Sequence, residues 1–171
     1  MGKLRAVVGM AAVAGLAAAC SSTATLVDHP AGSSKAAHVG DTLSLKTQAG
    51  KTFDMTLESV TDPAHTTSGA AAPGAKRYIA VMWHITDTSG SGISGNTNAD
   101  ANLVGSNGNA YLPAHVTLME CSGHGPKFNP TPGKTVTACT AFEVRTAIKI
   151  TQVQFSPAAG AAADYGQWLV P

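Results

Sequence analysis

The chain has 171 residues, of which 44% are hydrophobic, 12% charged and 5% aromatic, with 18 Gly and 9 Pro. That length fits one domain with short extensions, and the charged fraction is about half the roughly 25% of an average soluble domain. A net charge of +1 speaks against a nucleic-acid binder, which needs a basic face for phosphates, and against an acidic solvating tail.

The first element is an address. Lys3 and Arg5 precede an uncharged apolar run from Ala6 to Ala19, the layout of a secretory signal peptide. Fourteen residues fall short of the roughly 20 that cross a bilayer as a helix. Position 6 is Ala, where N-myristoylation wants Ser or Thr. The run ends Gly15-Leu16-Ala17-Ala18-Ala19-Cys20, which resembles the lipobox of bacterial lipoproteins. There the cysteine receives a diacylglycerol and becomes the new N-terminus. Here Leu16 stands four residues before Cys20, and Ala17 holds the usual leucine position. The alternative is ordinary cleavage that releases a soluble protein. Removing Lys3 and Arg5 leaves 9 basic and 10 acidic side chains, a mature charge of −1.

With Cys20 acylated, Cys121 and Cys139 remain. An oxidising envelope favours their pairing, and two free thiols are the alternative. No CxxC and no zinc-like cysteine cluster occurs. Residues 20–38 are small and polar without apolar period, and are expected to form a tether.

From residue 39 onward the apolar period is two. Leu43 and Leu45, then Phe53, Met55 and Leu57, then Ile79, Val81, Trp83 and Ile85 alternate with polar or small residues. Val136, Ala138, Thr140, Phe142 and Val144 repeat the pattern, and 148–155 and 165–170 read as further strands. Such alternation marks half-buried strands. Asp62-Pro63, Pro73-Gly74, the Gly/Ser-rich 89–95 and Asn129-Pro-Thr-Pro-Gly133 read as loops, and Asn107-Gly108 as a two-residue hairpin turn. No helical period follows the signal peptide. The expected fold is all-β: an immunoglobulin-like sandwich of about seven to nine antiparallel strands over 39–171. Cys121 and Cys139 flank the turn at residue 130, so they are expected to face each other across a hairpin. Cys139 alternates with the inward Phe142 set, which places the bridge on an outer face.

Val39-Gly40-Asp41-Thr42-Leu43, Phe53-Asp54-Met55-Thr56-Leu57 and Lys76-Arg77-Tyr78-Ile79-Ala80-Val81-Met82-Trp83-His84-Ile85-Thr86-Asp87 form an ordered set. Leu103, Asn107-Gly108-Asn109-Ala110-Tyr111, Thr131-Pro132-Gly133-Lys134, Ala141-Phe142-Glu143-Val144 and Gln167-Trp168-Leu169-Val170-Pro171 continue it. Together they resemble the telokin-like, immunoglobulin-fold domain of actinobacterial and other Gram-positive lipoproteins, a domain of unknown function. The layout is also similar to the small secreted immunogenic β-sandwich antigens of mycobacteria. The resemblance implies a fold and an extracytoplasmic location, and brings no catalytic residue.

A search for chemistry returns little. His115, Met119, Cys121 and His124, with Met82 and His84, offer soft sulfur and imidazole suited to envelope copper. Asn96, Asn98, Asp100 and Asn102 imitate the start of a calcium loop, but Ala101 and Asn107 stand where the EF-hand needs Gly and Glu. No Gly-x-Ser-x-Gly elbow or phosphate loop occurs. Trp83 and Trp168 fit core packing, with a groove lining as the alternative. The leading expectation is a non-catalytic, cofactor-free binding module, lipid-anchored at Cys20 on the extracytoplasmic membrane face. It would take a protein or envelope ligand on loops 61–76, 87–98 or 121–134. The alternatives are a copper or zinc protein using His115, Met119, His124 and His84, and a purely structural or antigenic surface protein.

Overall fold

The computed structural model of the chain describes residues 25–26, 37–157 and 165–171. The expected signal peptide, the acylated Cys20 and most of the expected tether lie outside the described residues. The strands, in chain order, are β1 (Thr25–Leu26), β2 (Ala37–His38), β3 (Thr42–Lys46), β4 (Thr52–Ala64), β5 (Lys76–Asp87) and β6 (Gly95–Asn96). They continue with β7 (Ala101–Gly105), β8 (Ala110–Tyr111), β9 (Lys127–Phe128), β10 (Thr135–Arg145), β11 (Ile150–Phe155) and β12 (Gly166–Leu169). One helical turn, α1 (Thr97–Asp100), precedes β7, and a 3-10 turn covers Met119–Cys121.

Two five-stranded sheets pack face to face, ordered β1-β3-β4-β5-β10 and β2-β12-β11-β7-β8, with β6 and β9 forming a separate ribbon. The fold is an all-β sandwich, and seven of its strands have four or more residues. Pairing is antiparallel except between β2 and β12, which run parallel. Leu43, Leu45, Phe53, Met55, Leu57, Ile79, Val81, Trp83, Ile85, Phe142 and Val144 are all buried. They form one face of the core, as the period of two predicts. The other sheet contributes Leu103, Ile150, Val153, Phe155 and Trp168.

Both tryptophans are core residues rather than groove linings. Their rings meet edge to face at 5.5 Å, and Trp168 Nε1 donates to the Asp41 carbonyl at 2.9 Å. Trp83 Nε1 donates to Thr140 Oγ1 at 3.1 Å. That hydroxyl donates to Thr97 Oγ1 at 2.6 Å, which in turn reaches the Pro126 carbonyl. Thr140 and Thr97 are fully buried. A threonine at an inward strand position thus gives the indole N–H the partner that burial demands.

Local chemistry departs from the sequence reading in two places. Asp62-Pro63, expected as a loop, lies inside β4 with a cis peptide bond, where the pairing with β5 shifts register between Thr61 and Ala64. Proline has no N–H for the ladder, and an irregularity accommodates it. The Asn107-Gly108 turn is a three-residue loop rather than a two-residue one. The Gly105 N–H bonds the Asn109 carbonyl, the Gly108 N–H bonds the Gly105 carbonyl, and Gly108 takes a left-handed φ of 77°. This is a type I turn closed by a glycine bulge. The ribbon has its own glycine constraint: a Cβ on Gly95 would fall 2.3 Å from the Phe128 ring.

The sandwich also draws on residues before 39. Thr25 and Leu26 pair with Ser44 and Leu43, while Ala37 and His38 pair with Trp168 and Leu169.

Thr140→Val keeps the shape but strips the Trp83 N–H of its acceptor, at an expected cost of about 1–3 kcal/mol. Urea unfolding of the variant should show a lower midpoint with an unchanged slope. An unchanged midpoint would remove the hydroxyl chain from the account of core stability.

Candidate functional site

The sheet face that carries β10 is not left to solvent. Alternation turns Tyr78, Ala80 and Met82 of β5 and Cys139 and Ala141 of β10 outward, and Ala80 lies directly opposite Ala141. Two small side chains side by side leave a shallow apolar depression. Leu118 fills it, fully buried against Ala64, Ala80, Cys139 and Ala141. This is a second, smaller core on the outside of the sandwich.

Leu118 arrives on a long loop, residues 112–126, that straps the face. Leaving β8, the loop first joins the open edge of β10, with Pro113 bridging Phe142 and the Ala114 N–H bonding the Ala141 carbonyl. It then crosses to the end of β4, where Leu118 bridges Thr66, the Thr67 N–H bonds the Thr117 carbonyl, and the Met119 N–H bonds the His65 carbonyl. It returns to β10 where the Cys139 N–H bonds the Gly125 carbonyl. The ends are close and the middle packs through its own side chain, the anatomy of an Ω-loop.

A disulfide between Cys121 and Cys139 pins the loop, with Cα atoms 5.4 Å apart. It sits on the outer face, where the strand alternation puts it. The hairpin geometry expected for it is not found: Cys121 ends the 3-10 turn, and β10 pairs with β5. Nor is the bridge fully exposed, since the loop it holds buries Cys139. Closing 18 residues removes unfolded-chain entropy on the order of 3 kcal/mol in the chain-entropy picture.

A second tie runs from Glu120 to His65. Both Glu120 carboxylate oxygens accept from the His65 N–H at 3.1 Å, and Oε1 lies 3.1 Å from His65 Nδ1. Burial pushes the Glu120 carboxyl up, but bonds from its own amide and from the His65 side chain and N–H outweigh this and hold it below the usual range.

Beside the strap lies an open hollow of about 370 Å³, lined by Asn98, His115, His124 and the two bridged cysteines, among others. His115 and His124, both exposed, therefore share one cavity, as the copper reading requires. The other two members of that set do not join them. Met119 is 57% exposed and does not line the hollow. His84 stands on the outer face of β5 with Nε2 3.0 Å from Glu58 Oε2. Cys121 is committed to its bridge. Among the described residues no group of three or more His, Cys, Asp or Glu is placed to hold a metal ion.

The calcium-like run resolves into turn chemistry. Asn96 caps α1 through Oδ1 to the Asn98 N–H, and Asn102 Nδ2 donates to Gln154 Oε1 at 2.8 Å. Asn98, drawn from sequence as part of that run, takes a different place in the structure. Its Oδ1 is buried at the hollow and has no hydrogen-bond partner among the described residues. No sequence signal marks its place at the hollow, because the loop that lines it there begins 16 residues downstream, at Ala114.

The three expected binding loops do not form one surface. The 64–75 segment lies with the strap. The loop after β5 lies at the opposite end of the sheet with the turn before β10, where the Gly133 N–H bonds the Asp87 carbonyl. Exposed Leu112 and Met119 both belong to the strap.

No family model matches the chain, and no curated protein matches it in sequence. The fold is similar to that of secreted MPT63 from Mycobacterium tuberculosis, with 14% identity over 81% of this chain and all of that one, and a TM-score of 0.53. It is also similar to the yjhA protein of Bacillus subtilis, at 15% identity over 71% of this chain and 81% of that one, with a TM-score of 0.51. A third likeness is to ycdA of Bacillus subtilis, a proposed lipoprotein, at 10% identity and a TM-score of 0.51. That match covers 68% of this chain and spans 36% of ycdA. At these identities the likeness concerns fold. Among the described residues, no helix is long and apolar enough to cross a membrane.

The tie from Glu120 to His65 has a defined pH dependence. A carboxyl held below its ordinary value contributes stability above that value and loses it as pH falls through the folded value. Amide exchange at Thr67 and Met119, corrected for intrinsic rates, should therefore quicken in acid before the sheets open. Glu120→Gln should exchange faster at neutral pH and lose the acid step. A wild-type strap with no acid step would dismiss Glu120 as its clasp.

Proposed function

We propose that this chain is a lipid-anchored extracytoplasmic binding module of the telokin-like, immunoglobulin-fold type, and that it is not an enzyme. The observation that carries the reading is the strap. A loop held by a disulfide, the hydrogen bonds of the Glu120 carboxylate and a private apolar core is preorganised, and preorganisation lowers the cost of binding. The strap presents Leu112 and Met119 to solvent beside a hollow with an unpartnered buried acceptor, a combination suited to a protein or envelope component. The likeness to a secreted mycobacterial protein and a proposed lipoprotein supports the compartment, as does the Leu16-Ala17-Ala18-Ala19-Cys20 sequence. Two acyl chains on Cys20 would anchor stably where one would not.

A second reading rests on His115 and His124 at one cavity with the Asn98 amide oxygen. Imidazole with a neutral oxygen suits zinc or copper(II) better than the sulfur-rich copper(I) set drawn from sequence.

Three measurements test these readings. Cys20→Ser should lose both its acyl mass and its membrane retention; a variant retained without the acyl mass would end the anchor reading. Cross-linking in intact cells should give adducts that a joint Leu112, His115, Met119 and His124 to Ala variant loses, and unchanged adducts would rule out the strap as the recognition surface. For the metal reading, zinc or copper(II) titration of the domain should weaken about tenfold or more in His115→Ala. Equal affinity in that variant would sink the metal site.

A further inference from the structure

The pairing of β1 fixes where an anchor would meet the domain. Only Ser21 to Ala24 separate Cys20 from Thr25, and chain reach of at most ~3.6 Å per residue keeps Thr25 within about 18 Å of the Cys20 Cα. Thr25 lies opposite Ser44, and β1 runs antiparallel to β3. The chain therefore enters at the Lys46 end of the sheet. At that same end, Lys46 pairs with Thr52, Phe53 with Asp87, and Thr86 with Thr135. The entry end is thus made of the Lys46–Lys51 turn, the loop after β5 and the turn that closes at Lys134.

Three lysines stand at the tip of this sheet. Lys46 and Lys134 are exposed, and neither forms an ion pair among the described residues. Lys51 Nζ donates to the Gly92 carbonyl at 2.7 Å and borders an open hollow of about 480 Å³ with Ser94. Asp87, the acid between them, is buried. Its carboxylate accepts from Ser89 Oγ at 2.6 Å, the Ser89 N–H at 2.8 Å and the Gly92 N–H at 2.9 Å. Asp54, on the outer face of β4, and Asp100, at the foot of the second sheet, are the other described acids nearby. At the far end of the same sheet Lys76 pairs with Glu143 and Arg77 with Asp62, and Arg145, opposite Lys76, adds a further cation.

We propose that the Lys46, Lys51 and Lys134 end of the sandwich rests on anionic phospholipid headgroups, so that the domain stands upright on the membrane. The inference rests on acylation of Cys20. The short leash supplies proximity, and the lysines supply attraction to a negative surface, which acts within a Debye length. Either alone leaves the orientation free; together they select one end. The strap's tip, tied to His65 at the end of β4, then points away from the bilayer.

The test uses the acylated protein in vesicles with about a third phosphatidylglycerol, with phosphatidylcholine vesicles as reference. Pulsed amine acetylation is read by peptide mass, with Lys76 and Lys149 as internal controls. Lys46, Lys51 and Lys134 should label about threefold or more slowly than the controls on the anionic vesicles. That protection should shrink on phosphatidylcholine and in high salt. Equal labelling of both ends, with the acyl mass present on Cys20, overturns the orientation while leaving the anchor intact. Protection independent of lipid charge overturns the role of the lysines. An absent acyl mass removes the anchor reading, and this proposal with it.

Discussion

A continuous run of aromatic rings holds the two sheets together. Phe128 meets Phe53 and Phe155 at 6.5 Å, Phe53 meets Phe155 at 6.3 Å, Phe155 meets Trp83 at 5.8 Å, and Trp83 meets Trp168 at 5.5 Å. In a chain with 5% aromatic residues, five of nine rings are spent on this one contact path. Elsewhere the core is mostly Val, Leu, Ile and Ala, with Met55 and Phe142, so these rings supply much of the bulk that spans the gap between sheets. Their polar atoms dictate further structure. The Trp83 indole requires Thr140, and Thr140 requires Thr97, which ties α1 and the strap's exit at Pro126 to the centre of the fold. The hollow beside the strap inherits its wall at Asn98 from that same connection.

The sandwich was legible because burial on one face of a strand writes itself into alternate residues. Phe53, Met55 and Leu57, and Ile79 through Ile85, needed no partner to be identified as inward. The strap was not legible in that way. Residues 112–126 have no period, and their conformation depends on a depression formed by Ala80 and Ala141, 38 residues behind and 23 ahead of Leu118. A faint signal did exist: Ala80, Met82, Cys139 and Ala141 place apolar groups on outward positions of two neighbouring strands. That pattern announces a cover, although it does not say which segment supplies it. His115 and His124 were legible as types and as a pair, since one loop carries both. His84 and Met119 were grouped with them by chemistry alone, and the fold separates them.

The two ends of the larger sheet use charge differently. At one end Lys76 is matched with Glu143 and Arg77 with Asp62, with Arg145 beside them opposite Lys76. At the other, Asp87 is turned inward to organise a loop. The Ser89 hydroxyl chiefly, then backbone N–H groups and the nearby Lys51, hold the Asp87 carboxyl below the ordinary range despite its burial. Net charge, read from sequence, averages such local arrangements away.

The short strands at the start of the chain have a consequence for solubility. β3 and β12 would otherwise be the terminal strands of their sheets, each with a row of open N–H and C=O groups ready to recruit another chain. Thr25–Leu26 covers part of one and Ala37–His38 part of the other. A single stretch of polypeptide thus blunts both edges, with ten residues between its two contacts. The earliest described segment of the chain is thus the one that discourages the sandwich from adding a neighbour's strand.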